Sequence, residues 1–372
     1  MGTKLSSLEA LITQHREEID AKRSIVLSVL KGVHQARLFS SLIPQSVGGL
    51  GLDLKSHVEN IQRLASLDAS TAWCVNQAAV IATQSLWLQQ PVVQEIWSQP
   101  DVCVANGPPF DCQIRPDGDH YVLTGHWGFS SGCQHATLMT GAARMSGGNG
   151  KSWRIAFFDP SEVTFADNWQ VPGLRGTGSF EFTCKNLKVP ACRVANMAEL
   201  PSIDGPITRI PSALLFALSF AGLTLGVAKG ALDDALEVAE GKLPRYASLK
   251  LRDDGNVQRF IAQAMARWRS ANAYLFDTID QGWQEASSAE VISDELRSAM
   301  RLAGTHVIRE CAEVVDLAYK IVGSTGIYRE HLIQRRFQDM HVITQHVQAR
   351  EAHYNLVGRH LITHEYEKGP MS

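Results

Sequence analysis

Tyr121-Val-Leu-Thr-Gly-His-Trp-Gly-Phe-Ser-Ser-Gly132 is the stretch that decides how the rest of the chain reads. β-Branched and aromatic residues dominate its first nine positions, and it closes on small residues suited to a turn. Trp153-Arg-Ile-Ala-Phe-Phe158 and Phe180-Glu-Phe-Thr183 repeat the pattern, with PDGD, SGGNG, GLRGTGS and VPAC as punctuation. A β region over residues 101–205 follows. Outward from it the apolar period changes to helical. On one side, over residues 1–100, Leu5, Leu8, Leu11 and Ile12, then Ile19, Ile25, Val26, Val29 and Leu30, recur at helical spacing. Pro44 to Gly51, Pro91 and Pro100 break that side. On the other, over residues 206–372, Val257, Phe260, Ile261, Ala264, Trp268, Ala271 and Leu275 trace one stripe. Breaks at Ser287 to Glu290 and Gly323 to Gly326 divide a four-helix block. The fold class is mainly α with a central β domain.

What is missing also counts. There is no βαβ alternation, no GxGxxG opening a helix and no P-loop, which argues against a nicotinamide-binding Rossmann domain. The chain has 372 residues, 45% apolar and 20% charged, the composition of a soluble enzyme-sized protein. With 35 basic against 38 acidic residues, nothing points to nucleic acid or an anionic membrane. Seven cysteines without a CxxC pair predict a reduced, cytoplasmic protein with no zinc ribbon. Met1 to Arg16 reads as polar rather than as a secretory signal. Pro211 to Ala228 is uncharged but carries Ser212, Ser219, Gly222, Thr224 and Gly226, so a buried core helix is expected rather than a membrane span.

Four strings, in order along the chain, carry a resemblance. They are Asp68-Ala-Ser-Thr-Ala-Trp73, Gly125-His-Trp-Gly-Phe-Ser-Ser-Gly132, Gly173-Leu-Arg-Gly-Thr-Gly-Ser179 and Leu332-Ile-Gln-Arg-Arg-Phe-Gln-Asp-Met-His-Val-Ile-Thr-Gln-His346. Together they resemble the acyl-CoA dehydrogenase fold superfamily, and most of all the oxygenase components of two-component, reduced-flavin-dependent monooxygenases. That resemblance implies N-terminal helices, a β-barrel-like middle domain, a C-terminal four-helix bundle and a homotetramer. It implies reduced FMN or FAD from a separate flavin reductase, with O2 as co-substrate. The implied reaction hydroxylates a small phenol- or indole-like compound through a flavin C4a-hydroperoxide. Alternatives of the same fold are an acyl-CoA dehydrogenase-like desaturase, an N- or S-oxygenase, and a flavin-less scaffold.

Acyl-CoA dehydrogenases need a carboxylate base on the C-terminal helix, yet Met340 to Arg350 contains no Asp or Glu. His346 stands there instead. A protonated imidazole there would stabilise the negative charge that develops on oxygen. By resemblance, Ser131 meets the flavin N5, Trp127 and Phe129 cover the ring, and Ser130 lies beside them. The plainer reading of this string is a strand and turn in which Trp127 and Phe129 are core. A continuous helix puts Ile333, Phe337, Met340, Thr344 and Val347 on one stripe, with Asp339, His346 and His353 on another line. His341 and His346 are too poorly placed to share a metal, and none is expected. By the same resemblance, Arg245 lies on cofactor phosphate, where its planar fork can bind bidentately, and Gly323 in a turn near a neighbour's flavin. Trp73 and Asn76, with Gln77, are candidates for the substrate pocket, although Trp73 reads equally as core. No histidine occurs in residues 58–119, which favours a neutral ring such as indole over a phenolate.

Overall fold

The computed structural model describes residues 2–146 and 152–369; residues 147–150 of the expected SGGNG turn lie outside the described residues. Helices α1 (Gly2–Lys22), α2 (Leu27–Gln35), α3 (Leu54–Leu67), α4 (Ala69–Ala82) and α5 (Gln90–Trp97) come first. Strands follow: β1 (Val104–Gly107), β2 (Pro109–Asp117), β3 (His120–Ser130), β4 (Leu138–Met145), β5 (Trp153–Phe158), β6 (Thr164–Ala166), β7 (Phe180–Pro190) and β8 (Val194–Ala195). The chain then returns to helix with α6 (Pro206–Arg209), α7 (Ser212–Gly241), α8 (Gly255–Ser288), α9 (Asp294–Val322), α10 (Leu332–Ile343) and α11 (Ala352–Thr363). Two compact units result. The first comprises Met1–Leu54, Trp73–Gln170 and Arg175–Ser212; the second Lys55–Ala72, Val171–Leu174 and Ala213–Ser372.

In the first unit the strands form one sheet in the order β6-β7-β3-β2-β4-β5-β8, with β1 parallel to β4. β7 and β5 are far apart in that order, yet the rings of Phe182 and Phe158 lie 6.2 Å apart. The sheet therefore curls over its own core, as a barrel does. Leu123, Trp127, Met139, Phe158 and Phe182 fill that core, one side chain from every second strand position pointing in.

The second unit is built around α7. This helix is apolar on all sides, and 83% of its most apolar window is buried, which makes it a core helix. Glycines let α3 approach it closely. A Cβ at Gly222 would lie 2.3 Å from Val58 Cγ1, and one at Gly226 2.2 Å from the Gln62 carbonyl. α8 and α9 run alongside, separated by the break expected at Ser287 to Glu290.

The last helix departs from expectation. The single helical stripe from Ile333 to Val347 does not exist, because α10 stops at Ile343 and α11 starts at Ala352. A 3-10 turn, Val347–Ala349, lies between them with His346 as its N-cap. Other parts of the unit hold this break open. His353 Nε2 lies 2.8 Å from the Val347 carbonyl, Thr305 donates to that of Gln348 at 3.4 Å, and Arg309 Nε donates to that of Ala349 at 2.9 Å. Thr344 also turns its hydroxyl back onto the His341 carbonyl at 2.8 Å. Tertiary donors outweigh local helix propensity here.

Candidate active site

The first unit presents a strained aromatic bulge beside a chain of hydroxyls. The β3–β7 ladder pairs Trp127 with Phe182 and then skips to Ser130 with Phe180. Phe129 falls in the gap, at φ 53°, and the Ser131 N–H donates to its carbonyl at 2.9 Å. A non-glycine residue in the left-handed region costs about 1 kcal/mol or more, and such strain concentrates at functional sites. Its ring is 58% exposed and meets Trp169 edge to face, with centroids 6.3 Å apart. Arg23 steadies that partner: its guanidinium pairs with Asp167 at 2.5 and 2.7 Å and donates to the Trp169 carbonyl at 3.2 Å.

Behind the bulge, Ser131 is buried. Trp73 Nε1 donates to its hydroxyl at 3.0 Å, and Ser179 Oγ lies 2.7 Å away on the other side. Ser179 in turn stands 2.7 Å from Thr177 Oγ1. An indole N–H can only donate, so one lone pair of Ser131 is committed to Trp73. If Ser131 donates to Ser179 and Ser179 to Thr177, the second lone pair of Ser131 is left to accept a ligand N–H; the opposite sense leaves the Ser131 proton to donate. Either way one hydrogen-bonding position of Ser131 is left over.

Two expectations are corrected here. Trp127 does not cover a ligand: it is fully buried, stacked on Phe182 with centroids 4.9 Å apart, and its N–H donates to the Ala142 carbonyl at 3.0 Å. The pleat sends it into the sheet core, and only the bulge turns Phe129 out. Ser130 is also fully buried, and the chain from Trp73 to Thr177 runs through Ser131 instead. Trp73 and Asn76 are both buried, Trp73 with its N–H on Ser131. Sequence reading missed Thr177, Ser179, Trp169 and Asn106. Thr177 and Ser179 did lie in a string singled out at the start, but nothing local links them to Ser131, 48 residues from Ser179.

In the second unit, His346 keeps an exposed edge while Phe220 covers it edge to face at 4.8 Å. Burial, with a smaller contribution from Arg350, pushes its pKa down to about 4. The expected protonated imidazole is therefore corrected: the ring is neutral near pH 7. Its Nδ1 accepts from the Gln348 N–H at 3.4 Å, which puts the proton on Nε2. His346 is a neutral N–H donor rather than a cation.

His135 in the first unit is also pushed down to about 4, first by burial and then by His34. Both shifts lie below the ordinary 6.5, so between pH 6.5 and 4 the unfolded chain binds more protons than the folded one. Stability is then full above pH 6.5 and falls as pH drops through that window. Each imidazole should cost about 2 kcal/mol between pH 7 and 5. Urea unfolding at the two pH values checks this, and His346→Gln should lose less stability on acidification than the wild type. An equal loss would contradict the assignment.

Arg245 sits in an exposed loop, its guanidinium 5.0 Å from the ring of Tyr246, which is 93% exposed. Lys242 ties the start of that loop to the Gly323 turn, donating to the Val322 carbonyl at 2.6 Å and to Thr325 Oγ1 at 2.9 Å. Gly323 has φ 61° and ψ −138°, a conformation that suits glycine. These two candidates are thus brought to one end of α9.

Three of the four strings meet in a buttress of the second unit. Asp68 pairs with Arg335 and accepts from the Thr71 N–H at 2.7 Å; Asp339 accepts from the Leu174 N–H at 2.6 Å. A Cβ on Gly173 would lie 2.3 Å from the Gln338 carbonyl, so only glycine fits there. Those acidic residues are structural. Among the described residues, no group of three or more His, Cys, Asp or Glu is placed to hold a metal.

The family model for the acyl-CoA dehydrogenase C-terminal domain matches residues 218–351. An indole-3-acetate monooxygenase of Pseudomonas putida is 28% identical over 361 residues, 95% of this chain and 92% of that protein. The flavin-dependent monooxygenase oxygenase subunit HsaA of Mycobacterium tuberculosis is 26% identical over 373 residues, 96% of this chain and 94% of that one. The crystal structure of 3-HSA hydroxylase from Rhodococcus sp. RHA1 has the same fold, with a TM-score of 0.91 at 21% identity, covering 100% and 98% of the two chains. An exposed aromatic face on a strained bulge, next to a buried hydroxyl, suits a planar ring with a nitrogen edge, as flavin has. Residues 218–351 match the acyl-CoA dehydrogenase C-terminal domain, and the whole chain has the fold of, and resembles, the oxygenase components of flavin-dependent monooxygenases.

Proposed function

We propose that this chain is the oxygenase component of a two-component monooxygenase that hydroxylates a small aromatic or heteroaromatic compound. Reduced flavin, FMN or FAD, comes from a separate reductase and supplies two electrons to dioxygen. The observation that carries this reading is the Phe129 bulge with the Trp73–Ser131–Ser179–Thr177 hydrogen-bond chain behind it. Phe129 would hold the ring and Ser131 would hold a proton at its nitrogen edge. Burial of Ser131 keeps water from competing for that proton. His346 would offer its Nε2 proton to developing negative charge, a role a neutral imidazole can fill. Arg245, exposed and fork-shaped, would take the cofactor phosphate, across a subunit boundary in a homotetramer. A cytoplasmic location goes with this reading. No carboxylate in Met340 to Arg350 is available to remove a proton next to a thioester, which weighs against desaturation.

The test is to supply the chain with a generic flavin reductase, NADH and a panel of indoles and phenols. A product heavier by one oxygen atom is expected; peroxide alone from every compound would overturn the reading. Trp73→Phe keeps the ring and removes the N–H that holds Ser131. It should cost about 1 kcal/mol in urea unfolding. It should also raise the hydrogen peroxide released per reduced flavin severalfold, with flavin affinity unchanged. Unaltered peroxide release would show that the indole does not position Ser131.

A further inference from the structure

The face of α4 that carries Trp73 carries Gln77 four residues later, about 6 Å along the helix axis. Gln77 Nε2 donates to Asn106 Oδ1 at 2.8 Å, and both residues are partly exposed. Asn106 is next in sequence to a residue that touches the strand of the bulge. The next residue, Gly107, lies so close to β3 that a Cβ on it would come 2.4 Å from the Gly128 carbonyl, one residue before Phe129. The amide pair is therefore one helical turn from the hydroxyl chain, roughly the width of an aromatic bicycle.

A carboxamide has one acceptor oxygen and two N–H donors. Their mutual bond leaves Gln77 Oε1 as an acceptor and Asn106 Nδ2 as a donor for a ligand. Turning both amides over swaps the owners but leaves one acceptor and one donor. The two elements that carry the pair are themselves uncharged: neither ASTAWCVNQAAVIA of α4 nor VANG of β1 contains Asp, Glu, Lys, Arg or His. A carboxylate brought here would be stripped of water without a cation to replace it. A ring N–H or a hydroxyl would find a partner.

We propose that Gln77 and Asn106 form the polar subsite that selects the substrate, recognising an uncharged N–H or O–H group on an aromatic ring and turning away a carboxylate side chain. This rests on the monooxygenase reading above for the word substrate, and the subsite itself can be tested without turnover. A site built to hydrogen-bond an N–H discriminates strongly against analogues that lack it.

The experiment measures binding of indole, 1-methylindole and indole-3-acetate to the full chain by calorimetry, alongside product formation with a flavin reductase. Indole should bind at least tenfold more tightly than either of the others. Asn106→Leu and Gln77→Leu should each weaken indole about tenfold and leave 1-methylindole within twofold. Should a leucine variant melt early, Asn106→Ala, a smaller change, provides the same comparison. Tighter binding of indole-3-acetate by the wild type, or equal losses for indole and 1-methylindole in the variants, would overturn the subsite even if oxygenated product forms. The N–H preference without oxygenated product from any ligand would uphold the subsite and overturn the monooxygenase reading instead.

Discussion

Replacing Ser131 with alanine should divert most of the reduced flavin consumed into hydrogen peroxide, with oxygenated product falling about 10²-fold, the scale of losing one positioned hydrogen bond. The reason is that Trp73 takes one lone pair of the Ser131 hydroxyl and Ser179 lies 2.7 Å away on the other side, which leaves it one hydrogen-bonding position for a ligand. Stability should change by only about 1–2 kcal/mol, for the loss of the Trp73–Ser131 hydrogen bond. Ser131→Thr keeps the hydroxyl and should restore much of the coupling. The measurement is product and peroxide per NADH, with flavin affinity as a control. Unchanged partition in the alanine variant would remove Ser131 from the site.

Arg335→Met should cost about 3–5 kcal/mol of folding stability, the largest single effect expected in the second unit. Its partner Asp68 has a fully buried carboxylate, and the Thr71 N–H alone is a poor substitute for a guanidinium. Arg335 also lies 3.9 Å from Asp339, whose other oxygen accepts from Leu174, so the loss reaches the Gly173–Leu174 contact. Urea unfolding of the variant gives the number. The double variant Asp68→Asn with Arg335→Met should recover part of it, because the Asp68 charge is then no longer stranded while Asp339 keeps its bond from the Leu174 N–H. A single-variant loss below about 1 kcal/mol would show that the pair is well solvated.

The contrast between these two sites explains what could be read from sequence. The strings Asp68 to Trp73, Gly173 to Ser179 and Leu332 to His346 were recognisable because tight geometry fixes their residue types: a glycine at 173 where no Cβ fits, and Asp68 and Asp339 capping backbone N–H groups. The core helix α7 was legible from its uncharged run alone. Trp127 and Phe129 were not separable, since both sit at odd positions of one strand. The bulge that splits them depends on the register with β7, far along the chain. The end of α10 was hidden for a similar reason. No Gly or Pro marks Thr344 to Arg350, and the donors that open the helix are Thr305, Arg309 and His353. The charge of His346 followed from burial, which its helical position in the sequence did not reveal.

Isotopic labelling of the product asks most directly whether this chain activates dioxygen. With reductase, NADH and an aromatic substrate under 18O2, each product molecule should carry one 18O atom. Product without label, or labelled only from H218O, would contradict the account.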